Sequence, residues 1–263
     1  MIAALAKASK VYGSKYLDVA IRAMTFISDK MITEDGLLLR RYRDGEAAIS
    51  GFLDDYAYQI WALLELYEAT YDIKYIKKAI SLQTIQDEGF WDEKDGGYYL
   101  SSEDSEEILV NSKDAYDGAI PSGNSVSMMN LLRLSRMTGN TDYEERLNKL
   151  AEHFSEQLSI APSSYTYFVS AMSHQIWPSH ELVMVGNPES EDMKVLISAL
   201  RSKYHPNVVS ILKSSEEISE LAEYTKYHIA LNGKATAYVC HNYQCNLPTT
   251  EPNEMQDLLD TNN

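Results

Sequence analysis

The stretch that decides the fold runs from residue 51 to residue 72 and reads GFLDDYAYQIWALLELYEATYD. Its apolar residues point to nearly every side of a helix, which predicts a helix that other elements enclose. Two adjacent carboxylates, Asp54 and Asp55, stand where this helix begins. Acidic side chains there can cap the helix or line a pocket that the helix helps to enclose. Capping is favoured for Asp54, and both interpretations stay open for Asp55, which shares a polar stripe with Gln59.

Composition and charge limit the classes of partner. The chain has 263 residues, of which 44% are hydrophobic, enough for one large domain or one and a half smaller ones. Its 23 Lys and Arg against 39 Asp and Glu give a formal net charge of −16. Nucleic acids and anionic membranes both favour basic surfaces, so neither is predicted as a partner. No apolar run approaches the roughly 20 residues that span a bilayer, and residues 1–12 lack a charged leader, so we predict a cytoplasmic protein.

A repeated pattern predicts tandem helical hairpins. Three segments each consist of a polar turn, a tyrosine (Tyr16, Tyr75 or Tyr143) and a helix. The third helix is apolar on one face only, as expected of an outer helix. The helices over 52–70 and 122–138 are apolar around their whole circumference, as expected of inner helices. Alternating inner and outer helices are typical of an α/α toroid. The predicted fold is mainly α, with a partial α/α toroid over residues 1–178 and a small α/β section over residues 179–263.

The links between hairpins indicate where a site would lie. Links from an outer to an inner helix are long, about residues 32–51 and 88–121, and they contain hairpin-like pieces. An acidic run in the second link is most simply a solvated tip; it comprises Glu103, Asp104, Glu106 and Glu107. Long loops at one end of a rigid scaffold are where binding sites usually sit. The inner helices present their N-termini at that end, so we expect the site there.

The last third of the chain has a different pattern. Residues 181–186, 189–204 and 207–212 read as strand, helix and strand, which predicts a parallel βαβ unit. Asn232-Gly233 between two β-rich arms predicts a type I′ hairpin. The ending PTTEPNEMQDLL predicts a short capped helix.

Four segments, in this order along the chain, resemble a known family: GFLDDYAYQIWALLELYEATYD, FWDEKDGGYYL, YDGAIPSGNSVSMMNLLRL and AYVCHNYQCNLPTT. They are similar to the thioredoxin-fused toroid proteins, which include the YyaL-type proteins of bacteria and archaea and the spermatogenesis-associated protein of animals. The resemblance implies an N-terminal thioredoxin-like domain followed by a toroid similar to six-hairpin glycosidases and N-acylglucosamine 2-epimerases. It also implies that this chain is the C-terminal part of a longer protein, with about half of the hairpins.

Carboxylates among aromatic rings at the long-loop end suit a carbohydrate ligand. Rings stack on the apolar faces of sugars, and a hydrolase needs a pair of carboxyl groups. The candidate catalytic residues are Asp55 and Asp117, although capping and turn structure also explain acids at these positions. The candidate substrate-binding residues are Asp54, Tyr56, Arg41, Arg43, Trp91, Tyr98, Tyr116 and Asn124. We expect Asp55, Asp117, Tyr56, Tyr116 and Trp91 to converge on one concavity. A sugar hydrolase, an epimerase or a sugar binder is predicted, with no cofactor. His174 and His180, beside Trp177-Pro178, are interpreted as core or junction residues.

Cys240 and Cys245 allow three interpretations: reduced structural thiols, a redox pair, or metal ligands completed by His228 or His241. Reduced thiols are favoured, and no metal site is predicted, because a second close pair of ligands is missing from the sequence. The family resemblance extends to Cys240, Cys245 and Pro248 and, by analogy, supports the redox interpretation. The alternative function is therefore a scaffold or redox partner module of a thioredoxin-like domain.

The first helix is expected to contact a partner. Its apolar residues Ile2, Leu5 and Val11 call for neighbours on two sides. An incomplete ring would leave an apolar strip here, and large exposed patches are rare in soluble monomers. We expect this edge to dock onto the missing N-terminal part of the toroid, or else to self-associate.

Overall fold

The computed structural model describes residues 1–102, 111–176 and 179–260. The described chain divides into two compact units. The first comprises Met1–Leu132 and Glu144–Met172, and the second comprises Arg133–Tyr143 together with the residues from Ser173 onward.

Helical hairpins make up most of the first unit. Helix α1 (Ile2–Tyr12) is followed by α2 (Ser14–Lys30), and α3 (Leu53–Thr70) is followed by α4 (Ile73–Phe90). The next pair is α5 (Gly123–Thr138) and α6 (Thr141–Ile160), and α7 (Thr166–Ile176) comes after it. Each of α1 and α3 packs against the helix that follows it and against the other.

Contacts within the first unit sort the helices into two layers. In the inner layer α5 is joined to α3, since the Asn130 side-chain amide donates to the Ala57 carbonyl at 2.8 Å. In the outer layer Lys78 of α4 donates to Ser28 of α2, and Arg146 of α6 pairs with Asp87 of α4. The inner helix α3 is apolar on most sides because it has α1, α2, α4 and α5 as neighbours. This is the arrangement of a partial α/α toroid, and it confirms the predicted fold class.

The first long link contains the predicted hairpin. Strands β1 (Leu39–Arg43) and β2 (Glu46–Ser50) pair antiparallel, with Leu39 opposite Ser50. Asp44 and Gly45 form the turn with φ of 52° and 89°, the left-handed conformation that a tight hairpin requires. The second predicted piece, residues 96–110, lies partly outside the described residues. The acidic run 103–107 lies wholly outside them.

The second unit is built on a four-stranded sheet of order β4-β3-β5-β6. Strand β3 (His180–Val185), helix α8 (Glu191–Ser202) and strand β4 (Val208–Lys213) form the predicted βαβ unit, with β3 and β4 parallel. Strand β5 (Thr236–His241) pairs antiparallel with β3, and the short strand β6 (Gln244–Cys245) pairs with β5. Helices α9 (Glu216–Leu221) and α10 (Pro252–Asp260) complete the unit, and α10 confirms the predicted C-terminal helix.

One predicted element of this unit is wrong. Asn232 and Gly233 have the positive φ values of a type I′ turn, 51° and 73°, yet they lie in the 3₁₀ turn Leu231–Gly233 and not in a hairpin. The reason is that β5 takes β3 and β6 as its partners, so the residues before Asn232 have no strand to pair with. The hairpin turn is instead at Asn242 and Tyr243, with φ of 49° and 61°, between β5 and β6. Among the described helices, none is long and apolar enough to cross a membrane.

Candidate functional site

Asp55 caps its own helix. Its carboxylate accepts a hydrogen bond from the backbone N–H of Phe52, the residue before α3, at 2.9 Å. The Arg40 guanidinium lies 3.1 Å from the same oxygen. Gln59, the other member of the predicted polar stripe, is buried with its amide nitrogen 2.9 Å from Met24 Sδ of the outer helix α2. The stripe of Asp55 and Gln59 therefore faces protein, and its contacts do not support cavity lining.

Asp117 also has the contacts of a cap. One carboxylate oxygen accepts from the Ser122 N–H at 3.0 Å, just before α5. The other accepts from the N–H groups of Tyr167 and Phe168, at 2.7 and 3.3 Å, in the first turn of α7. Both oxygens thus satisfy amides that a helix start leaves without a partner. The geometry gives no support to Asp55 and Asp117 as a catalytic pair.

Several predicted binding residues belong to the interior. The Tyr56 hydroxyl accepts from the Leu38 N–H at 2.9 Å, and the Asn124 amide binds both the N–H and the carbonyl of Tyr98. Tyr98 is fully buried against Trp91, with ring centroids 4.9 Å apart. These side chains, which were expected to contact a ligand, instead hold both long links against the helices. Of the residues expected to converge on one concavity, Tyr56 and Trp91 are buried whereas Tyr116 is exposed, so these three side chains do not share one open surface.

Three other predicted binding residues, Arg41, Arg43 and Tyr116, are exposed. Arg41 and Arg43 lie on β1, where Arg43 pairs with Asp44 at 3.2 Å, and Tyr116 is largely exposed on the second link. His174 is partly buried near the end of α7, and His180 is buried in β3. Trp177 and Pro178 lie outside the described residues.

The structure assembles a set of side chains that the sequence analysis did not single out. Tyr58 and Trp61 of α3 have ring centroids 5.9 Å apart, and Trp61 and Tyr167 of α7 have centroids 5.4 Å apart. All three rings are partly exposed, and we call them the aromatic stripe. Asp54 lies one turn before Tyr58, so Asp54, Tyr58 and Trp61 follow the helical spacing i, i+4, i+7. That spacing is visible in the sequence alone, whereas the neighbouring ring of Tyr167 comes from another helix.

The stripe continues along α3 into a charged cluster. The Trp61 indole N–H donates to Glu65 Oε1 at 3.2 Å. The same carboxylate, which is buried, lies 3.6 Å from the Lys7 ammonium and 3.7 Å from that of Lys10, both on α1. Lys10 also binds Glu68 at 2.7 Å. These contacts fix one edge of the Trp61 ring.

Asp54 differs from Asp55 in its surroundings. Burial raises the pKa of the Asp54 carboxyl above its ordinary value, the N–H of Gly123 opposes the rise, and the charge of Asp55 adds to it. A Cβ at position 123 would lie 2.5 Å from Asp54 Oδ1 and 2.8 Å from Leu53 Cγ, so glycine is required for this close approach. Burial and then the charges of Asp54 and Asp117 raise the pKa of Tyr58 to about 12. Its hydroxyl stays protonated and donates to the Pro121 carbonyl at 2.7 Å.

The two cysteines of the second unit are joined. Cys240 and Cys245 form a disulfide with an S–S distance of 2.01 Å. The favoured expectation of reduced structural thiols is therefore corrected: the two residues are cross-strand neighbours on β5 and β6, which brings their sulfurs within bonding distance. His228 is the histidine that lies close to both sulfurs, whereas the His241 ring binds the Ser179 carbonyl at 3.0 Å.

Comparison with known proteins shows which sequences this chain is related to. The chain is 38% identical over 213 residues to spermatogenesis-associated protein 20 of Rattus norvegicus and, with the same figures, of Homo sapiens. These matches cover 80% of this chain and 27% of each relative. The chain is a homologue of spermatogenesis-associated protein 20 over these residues. The predicted family resemblance is confirmed, and the chain spans about a quarter of the length of spermatogenesis-associated protein 20.

Two further comparisons extend the picture. An uncharacterized protein of Caenorhabditis elegans is 31% identical over 254 residues, which cover 94% of this chain and 34% of that protein. Among solved structures, a cellobiose 2-epimerase from Bacillus thermoamylovorans matches 58% of this chain and 42% of its own, with a TM-score of 0.49 and 18% identity. No protein-family model matches the sequence.

Proposed function

We propose that this chain contributes a carbohydrate-binding face made of Asp54 and the aromatic stripe. The observation that carries the proposal is a row of three partly exposed rings with a carboxyl group of raised pKa at one end. Sugar rings have apolar C–H faces that pack on aromatic rings, and their hydroxyls bind carboxyl oxygens. The two kinds of group lie on one face of α3, so a single pyranose can contact both.

The positions of the carboxyl groups favour binding over two-carboxylate hydrolysis. Along the face of the stripe, the next carboxylate after Asp54 on α3 is Glu65, eleven residues later. Eleven residues of α-helix span about 16 Å, whereas glycosidases place their two carboxyl groups about 5 to 9.5 Å apart. Asp117 uses both oxygens for backbone amides. Asp54 is therefore the group we assign to binding a hydroxyl or to proton transfer, since burial raises the pKa of its carboxyl above the ordinary value.

Calorimetric titration with pyranose mono- and disaccharides tests the proposal. We expect Trp61→Ala to weaken the binding of the best sugar by about tenfold, the loss of about 1.4 kcal/mol of stacking. Trp61→Tyr, which keeps a ring, should retain most of the affinity. Tyr204→Ala is the matched control, because this exposed ring of the second unit is outside the stripe.

Thermal unfolding of each variant separates a binding defect from a folding defect. The proposal is wrong if no sugar binds the native chain, or if Trp61→Ala, while folded, binds the best sugar as tightly as the native chain does.

A further inference from the structure

The disulfide of the second unit is asymmetric in exposure. Cys240 is fully buried on β5, whereas Cys245 on β6 is exposed. The two residues are five positions apart, so the bond closes a short loop and contributes less loop entropy to stability than a bond that closes a long one. A reagent in solution therefore reaches one sulfur and not the other. The bond also stabilises the fold less than a cross-link between distant residues would.

A histidine lies against the exposed sulfur. His228 Nε2 is 3.5 Å from Cys245 Sγ, and the nitrogen and both sulfurs all lie within 4.8 Å of one another. The imidazole is held edge-to-face against the Tyr238 ring, with centroids 4.4 Å apart. One imidazole nitrogen is thus within reach of either sulfur atom.

Lys213 fixes the segment that carries this histidine. Its ammonium, at the buried end of β4, donates to the carbonyls of Thr225, Lys226 and His228 at 3.0, 2.9 and 3.1 Å. Three hydrogen bonds donated by one ammonium group define the path of this turn. Burial, with a smaller contribution from the Lys213 charge, lowers the pKa of His228 below its ordinary value. The imidazole is therefore neutral at neutral pH and can accept a proton.

Three exposed apolar side chains lie close in the sequence to His228 and Cys245. Tyr227 and Ile229 flank His228 in the sequence, Leu247 follows Cys245 by two residues, and all three are largely exposed. Exposed apolar side chains of this size favour contact with another protein or peptide over contact with water.

We propose that Cys240 and Cys245 form a reversible thiol–disulfide exchange site, with His228 as the proton-transfer group and a dithiol protein or peptide as the partner. The site shares no residue with the carbohydrate-binding face, so each proposal can fail without the other.

The exchange balances in two steps. One thiol of the partner loses its proton to His228 Nε2 and attacks Cys245 Sγ, which breaks the Cys240–Cys245 bond and forms a mixed disulfide. Cys240 leaves as a thiolate and takes the proton from His228. The second partner thiol then attacks the partner sulfur of the mixed disulfide and releases Cys245, with its proton again passing through His228. Two electrons and two protons move from the dithiol, which becomes a disulfide, to this chain.

Titration of the folded chain in buffers of reduced and oxidised dithiothreitol tests the exchange, with acid quenching and alkylation to count free thiols. We expect a two-electron transition in the native chain without loss of the far-ultraviolet circular dichroism signal. A bond that is reduced only after the chain is unfolded by denaturant would overturn the proposal.

The role of His228 is tested by the rate of reduction against pH. We expect His228→Gln to slow the reaction with dithiothreitol by on the order of tenfold near neutral pH and to remove the imidazole titration from the pH profile. His153→Gln, which removes a partly exposed imidazole in the first unit, is the matched control and should react like the native chain. Equal rates and profiles for His228→Gln and the native chain would contradict the assignment.

Single-cysteine variants test which sulfur is attacked. Cys240→Ser leaves the exposed Cys245, and Cys245→Ser leaves the buried Cys240. We expect glutathione disulfide to modify the first variant at least about tenfold faster than the second, because access to the sulfur limits exchange. Equal or reversed rates, in variants that melt like the native chain, would overturn the asymmetry on which the proposal rests.

Discussion

Two adjacent carboxylates at the start of α3 experience opposite surroundings. Asp55 accepts the Phe52 N–H and pairs with Arg40, so its negative charge has two partners. Asp54 faces the start of α5, where burial opposes its ionisation. One residue along a helix rotates a side chain by about 100°, which places the two acids in different environments.

This contrast predicts different effects on stability at the residue scale. The pKa of Asp54 is raised in the folded chain, so the folded state binds its proton more tightly than the unfolded state. The loss of folding stability that comes from ionising buried Asp54 begins as pH rises above the ordinary aspartate pKa of 3.8. It is complete above the raised pKa of the folded chain. Asp54→Asn removes this loss, and above that window we expect the variant to be as stable as the native chain or more so, by less than about 1 kcal/mol because the group is partly solvated.

Asp55→Asn is the matched control for this measurement. It weakens a cap and an ion pair, and we expect it to lose about 1 kcal/mol at neutral pH. Urea unfolding of both variants between pH 3.5 and 8 makes the comparison. A larger loss for Asp54→Asn than for Asp55→Asn at neutral pH would reverse the assignment of the two acids.

At the scale of secondary-structure elements, Asp117 connects the second long link to two helix starts. Its three backbone partners lie before α5 and in the first turn of α7, two helices whose first residues are 43 positions apart in the sequence. Charged hydrogen bonds of this kind position the N-termini of neighbouring inner helices. Tyr167, the last ring of the aromatic stripe, is held by one of them.

We expect Asp117→Ala to lower the free energy of unfolding by about 1 to 3 kcal/mol, because it leaves amide groups at two helix starts without an acceptor. Asp114→Ala is the control: the carboxylate of this exposed aspartate accepts from the Tyr116 N–H at 2.8 Å, and its loss should cost less than about 0.5 kcal/mol. Denaturant titration measures both. Equal stability of the two variants would show that Asp117 does not serve as a cap.

At the scale of the whole molecule, α1 presents an apolar edge to solvent. Of the three residues expected to seek neighbours, Ile2 is buried and Leu5 is partly buried, whereas Val11 is 70% exposed. Tyr12 beside it is 71% exposed. The relatives are more than twice as long as this chain, and the family resemblance predicts that the N-terminal part of the toroid covers this edge.

The isolated chain should therefore bind an apolar fluorescent dye in its folded state. We expect the double variant Val11→Ser, Tyr12→Ser to bind less dye with an unchanged melting temperature, because both side chains are already in water. Val195→Ser with Tyr204→Ser removes exposed apolar side chains of the second unit and is the control. Sedimentation velocity at rising concentration shows in parallel whether the edge drives self-association. A folded chain that binds no dye would contradict the exposed edge.

Local sequence patterns determined the elements of this protein. The all-round apolar pattern of residues 52–70 and the one-faced pattern of residues 143–158 predicted inner and outer helices, because a helix buries whatever face its neighbours cover. The first long link predicted a hairpin-like piece, and the βαβ unit followed from two short β-rich runs around a helix. Each of these signals depends on residues close together in the chain.

Only the tertiary structure decided the roles of individual polar residues. The sequence could not distinguish Asp54 from Asp55, because their roles depend on Gly123 and Arg40, which reach them from other elements. It could not place Tyr167 beside Trp61, or His228 beside Cys245, for the same reason. The sequence wrongly predicted a hairpin at Asn232-Gly233. A turn signal determines the local φ values, but the pairing of strands depends on the whole sheet. A contact between distant residues is set by the packing of the elements that carry them, which no local pattern records.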